Sequence, residues 1–175
     1  GLSSFGSSEI GTLYFPDNLF LRETFVHGGQ WVVPNFTNWS PTNLTLTGNG
    51  KLRLAYPGFR LAVAGNLTLH GPNSWLELTN ATVTCGGNLY LTNGVFSLHG
   101  SSTSMPTLNC GGDIEMANAE LRLFRSATTS ASLRCGGDML LANGARVYVY
   151  SAMTNASVPD YGALVAVSGT VTIAN

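Results

Sequence analysis

The chain has 175 residues, 17 of them charged, and a net charge of -1. That length fits one domain with a sizeable core. The charge balance leaves no basic stripe for a nucleic acid, and no apolar run reaches the length of a membrane-spanning helix, so neither partner is expected. Glycine is abundant, Asn, Ser and Thr are frequent, and Lys occurs once, at Lys51. This balance is typical of β-rich, turn-dense extracellular proteins.

Residues 1–41 stand apart. They hold eight of the 17 aromatic residues, include Pro16, Pro34 and Pro41, and show no repeat. They read as an irregular N-terminal cap that also serves as an interaction segment. Phe15, Phe20, Phe25, Trp31 and Trp39 are its candidate subunit contacts. The chain opens at Gly1 with no leader in view, so it reads as processed or as a segment of a longer chain. Sequons at Asn35, Asn38, Asn43, Asn66, Asn80 and Asn155 are read as turn and outer-face residues rather than glycan acceptors.

Residues 42–175 are repetitive. Cys85-Gly86-Gly87, Cys110-Gly111-Gly112 and Cys135-Gly136-Gly137 recur every 25 residues. Each is followed by Asn or Asp, an apolar-x-apolar pair, an Asn (Asn93, Asn118, Asn143) and a second apolar-x-apolar pair. Weaker copies begin at Asn43, Val63 and Val167. The Asn/Asp position runs Asn43, Asn66, Asn88, Asp113, Asp138, then Thr170, at intervals of 22 to 32 residues. A fixed period of this size marks a supersecondary unit stacked on its own copies.

Apolar-x-apolar is period two, so each pair is a short strand with one buried face. Gly-Gly and Asn-Gly are expected to turn the corners through positive φ. The fold expected is all-β: a single-stranded, right-handed parallel β-helix (β-solenoid) of about six coils of 22 to 32 residues behind the N-terminal cap. The second apolar pair after Asn143 arrives one residue late, which suggests a bulge at Ala145-Arg146. The long last coil is expected to carry a protruding loop over Ser151–Tyr161.

Columns follow from the stacking. Val63 and Val167 occupy the cysteine position in the weaker coils, so Cys85, Cys110 and Cys135 read as a buried free-thiol ladder. Three sulfurs in a line make no tetrahedral metal pocket. Asn93, Asn118 and Asn143 read as a carboxamide ladder. Asp113 and Asp138 read as corner residues accepting backbone N–H groups. Glu115, Glu120, Arg122, Arg125, Arg134 and Arg146 form a solvated outer face. His27, His70 and His99 differ in phase and make no cluster. The Thr45/Thr47 pair becomes Thr68/His70, then Tyr90/Thr92, then Glu115/Ala117, so no flat ice-binding Thr column persists. The acids are scattered, and no nucleophile elbow, phosphate loop or HExxH is present. No enzyme activity, cofactor or metal is expected.

The Cys-Gly-Gly-[Asn/Asp]-apolar-x-apolar-x-Asn repeats, from about Asn43 to Asn175, resemble the β-solenoid regions of large bacterial surface proteins. Autotransporter-type passenger domains are among these, and the kind is abundant in the Verrucomicrobia. The resemblance implies an extracellular, cell-surface structural or adhesive role with no catalytic residue. The sequence ends on Gly169–Asn175 in mid-repeat, with Val171 and Ile173 as candidate interface residues. The function expected first is a self-associating fibre or surface-layer subunit whose partner is a head-to-tail copy of itself. A glycan-binding adhesin using Tyr90, Trp75 or Tyr161 is second, and a polysaccharide-cleaving enzyme third.

Overall fold

A computed structural model describes residues 12–19, 21–25, 29–33, 35–54, 56, 58–100, 105–125, 130–150 and 163–175, with only the backbone of Phe25 and of residues 29–31. Phe20, His27, Asn155 and the expected Ser151–Tyr161 loop lie outside the described residues. None of the described residues is helical.

Their strands, in chain order, begin with β1 (Thr12–Tyr14), β2 (Thr24–Phe25), β3 (Gly29–Val32) and β4 (Asn38–Trp39). Next come β5 (Leu44–Thr47), β6 (Lys51–Leu54), β7 (Arg60–Val63), β8 (Leu67–His70), β9 (Trp75–Thr79) and β10 (Thr82–Cys85). Then follow β11 (Leu89–Thr92), β12 (Val95–His99), β13 (Thr107–Cys110), β14 (Ile114–Ala117), β15 (Glu120–Phe124) and β16 (Ser132–Cys135). The last are β17 (Met139–Ala142), β18 (Arg146–Val149), β19 (Leu164–Val167) and β20 (Val171–Ala174).

All pairings are parallel, and they gather the strands into three sheets. Sheet I runs β2-β5-β8-β11-β14-β17-β20, sheet II runs β1-β3-β6-β9-β12-β15-β18, and sheet III runs β4-β7-β10-β13-β16-β19. The chain visits I, II and III in turn, so the molecule is a β-solenoid. Each strand buries alternate residues because successive side chains point to opposite faces. In β11, Leu89 and Leu91 are fully buried while Tyr90 faces out. The core is therefore a set of columns. Leu46, Leu69, Leu91 and Met116 stack in one, and Leu54, Leu78, Leu98 and Leu123 in another.

The segment expected to be an irregular cap contributes strands to the same sheets. β1 pairs with β3, β2 with β5 and β4 with β7, all parallel. These strands are two to four residues long. Runs that short carry no readable period, which is why the sequence hides them.

The late arrival of Val147 has a different cause from the expected bulge. Ala142 and Ala145 close a turn (N–H to O, 3.0 Å) around Asn143 and Gly144, at φ 51° and 75°. Two positive φ values at the centre of a four-residue turn are the type I′ signature. The extra residue sits in the corner, and β18 then pairs in regular register with β15, Leu121 beside Val147 and Leu123 beside Val149.

Candidate functional site

The corner between sheets III and I holds the repeat's signature residues. Cys85, Cys110 and Cys135 end β10, β13 and β16, in register with one another and with Val63 and Val167. All three are free thiols, 2%, 4% and 2% exposed. Each sulfur lies against corner carbonyls: Cys85 beside Gly65 (3.2 Å) and Asn88 (3.3 Å), Cys110 beside Gly87 and Asp113 (both 3.3 Å), Cys135 beside Gly112 (3.4 Å) and Asp138 (3.3 Å). The contact between the Cys85 and Cys110 side chains raises Cys110, with burial adding to it, and lowers Cys85. Burial pushes Cys135 up.

The glycines after each cysteine do not adopt the positive φ expected of them. Their requirement is space. A Cβ on Gly111 would lie 2.7 Å from the Gly86 carbonyl oxygen. One on Gly87, Gly112, Gly137 or Gly169 would collide with the side-chain oxygen of Asn66, Asn88, Asp113 or Asp138 of the preceding coil. Those oxygens are there because each accepts the backbone N–H of the equivalent residue one coil on. Asn66 N–H donates to Asn43 Oδ1 (2.8 Å), Asn88 to Asn66 (2.8 Å), Asp113 to Asn88 (2.9 Å), Asp138 to Asp113 (2.8 Å) and Thr170 to Asp138 (2.7 Å). Only an acceptor oxygen is used, so Asn and Asp serve equally. At the first rung Glu23 takes over, its carboxylate accepting from Thr42 N–H (2.6 Å) and Asn43 N–H (3.3 Å). The sequence offers no pointer to Glu23, which precedes Thr24 of β2 and so falls out of phase with the Asn/Asp position.

The corner between sheets I and II carries Asn93, Asn118 and Asn143, at φ 56°, 47° and 51°; Gly48 and Gly71 hold this corner upstream. Asn118 Nδ2 donates to Asn93 Oδ1 at 2.6 Å. The ladder is therefore carried by residues that tolerate the left-handed region.

Sheet II bears most of the outward charge. Arg53 pairs with Glu77 across one rung (2.9 Å), Glu120 pairs with Arg122 on its own strand, and Arg146 reaches Glu120 from the next rung (3.6 Å). Beside them His99, Phe124 and Tyr150 stack along the axis, ring centroids 4.4 and 4.9 Å apart and planes within 8° and 7°. Burial lowers the His99 pKa, Glu77 opposing and Arg53 reinforcing. This aromatic column escaped the sequence reading, although its members stand one coil apart. Tyr90 and Trp75 do not extend it. Tyr90 lies on sheet I between Thr68 and Glu115, and Trp75 on sheet II between Lys51 and Val95. Tyr161 lies outside the described residues.

On sheet I a shallow groove of about 250 Å³ is lined by Asp113, Glu115, Asp138, Met139, Leu140 and Thr172. Asp113 and Asp138 stand one above the other on the same wall, each with one oxygen committed to the corner ladder.

The final coil is more open than the coils in the middle of the stack. Val171 and Ile173 are 51% and 77% exposed, although Ile114 and Met116, in the same columns, are 0% and 2% exposed. Leu164 and Val165 of β19 are also exposed. At the other end Leu13 and Tyr14 of β1 are exposed, whereas Phe15 and Trp39 are half-buried and pack on the chain's own core. Phe25 and Trp31 are placed in β2 and β3 by their backbone. Comparisons of the chain with family models, curated proteins and solved structures find no match.

Proposed function

We propose that this protein is an extracellular structural subunit that stacks end to end on copies of itself, as a fibre or surface-layer component, without catalysis. The observation that carries the reading is the exposure of Val165, Val171 and Ile173, which occupy inward positions of β19 and β20 and are not covered by any of the described residues. Covering side chains that are already partly buried stabilises by on the order of 1 kcal/mol each. Sheets I, II and III end on β20, β18 and β19, and begin on β2, β1 and β4. Every pairing between those ends is parallel, so the first edge of one copy presents the orientation that the last edge of another needs. A head-to-tail contact that does not close makes a filament, and strand addition satisfies the open backbone groups.

The resemblance of the repeats to β-solenoid regions of bacterial surface proteins, and the turn-rich, Lys-poor composition, support a cell-surface location. We take the coil as right-handed, the hand that parallel crossovers adopt in about 98% of cases, with about six coils of 22 to 32 residues. Sedimentation velocity and negative-stain microscopy over a concentration series test the assembly. Wild type is expected to form linear oligomers, and Ile173→Asp with Val171→Asp to remain monomeric with an unchanged β circular-dichroism spectrum. A wild-type protein that stays monomeric at the highest concentration overturns the reading.

A further inference from the structure

We infer that the cysteine column is a linear binding site for soft monovalent metal ions, Cu(I) or Ag(I), each held by two sulfurs of adjacent coils. The column supplies three buried free thiols in register, Cys85 beside Cys110 and Cys110 beside Cys135. In-register parallel rungs hold equivalent atoms about 4.8 Å apart. Two collinear metal–sulfur bonds of about 2.3 Å, the Zn–S length, span nearly that distance. Thiolate sulfur is the ligand that selects Cu(I). The geometry offers no tetrahedral alternative, since no group of three or more ligating side chains converges among the described residues.

Access fits as well. The cysteines sit directly behind the glycine pairs, of which Gly86, Gly111 and Gly136 are exposed. The glycines add no side chain of their own over the sulfurs. One ion displaces the protons of two thiols into solvent and leaves an S–M–S unit of charge -1. A second ion displaces the third proton and makes the Cys110 sulfur a bridge, again with net charge -1.

The column's arithmetic supplies the test. Purified protein is titrated anaerobically with Cu(I), following the thiolate-to-copper charge-transfer absorption and competition with a Cu(I) chelator. Circular dichroism monitors the fold. Wild type should bind two ions per chain with its β spectrum intact. Valine stands at this position in the flanking coils, so Cys→Val variants suit the site. Cys85→Val and Cys135→Val should each bind one ion, and Cys110→Val none, because its remaining thiols are two rungs apart. Absence of binding by folded wild type overturns the proposal. So does wild-type stoichiometry in Cys110→Val, or binding that appears only as the β spectrum is lost.

Discussion

At the scale of the residue, the Asn/Asp position shows how one atom can define a repeat. Its side-chain oxygen takes the corner N–H of the next coil, which would otherwise turn to solvent. A solvent-accessible hydrogen bond of this kind contributes about 0.5–1.5 kcal/mol net. Asp113→Leu should therefore destabilise by about that amount, while Asp113→Asn stays within about 0.5 kcal/mol of wild type, as for an ordinary surface change. Urea unfolding of the two variants checks the contrast; equal stabilities would count against the ladder. The role of Asp113 and Asp138 as N–H acceptors was legible because they continue a position held by Asn43, Asn66 and Asn88, and Asn and Asp share an oxygen acceptor. The thiol ladder was legible by the same logic, Val standing where Cys stands. Glu23 was not, because it does the same work from a different phase with a longer side chain.

At the scale of the element, two kinds of glycine turn the coils, and the sequence does not separate them. Gly112 occupies ordinary backbone space but faces the Asn88 side chain and the Gly87 carbonyl oxygen (3.0 Å) of the coil before it. Gly144 has φ 75° and nothing within 4 Å of where a Cβ would stand. Gly112→Ala must move packed atoms, an overpacking cost of about 1–3 kcal/mol. Gly144→Ala keeps its room and is charged only for the left-handed backbone, about 1–2 kcal/mol. The two are told apart by relief. Shortening the neighbour, as in Asn88→Gly, should recover part of the Gly112→Ala loss in a double-mutant cycle and none of the Gly144→Ala loss. Additive effects in both cycles would refute the steric account. The misplaced bulge has the same origin: a spacing counts an extra residue but does not say whether strand or turn contains it. Short strands such as β2 and β4 stayed hidden because two residues show no alternation.

At the scale of the whole molecule, the solenoid is a one-dimensional stack in which each coil touches only its neighbours. Protection against hydrogen exchange should then follow position. Amides of β10, β11, β13 and β14, with covered coils on both sides, should exchange most slowly, and those of β18, β19 and β20 fastest. Raising the concentration into the assembled regime should slow β20 selectively. Exchange that is uniform along the chain would contradict a stack of nearest neighbours. The stack itself was readable from the 25-residue interval, since an antiparallel meander gives no reason for such a return. The aromatic column of His99, Phe124 and Tyr150 was hidden because its members share no residue type, only position.

Consider again the oxygen that each corner passes to the next. Asn88, Asp113 and Asp138 each donate one backbone N–H to the coil before and accept one from the coil after. Every junction in that line is chemically the same as its neighbours. A whole coil, such as the 25 residues from Gly86 to Cys110, can thus be copied or excised without producing a boundary new to the protein. The corner makes length a quantity that changes in units, and evolution, or a designer, can adjust the reach of the molecule by counting coils.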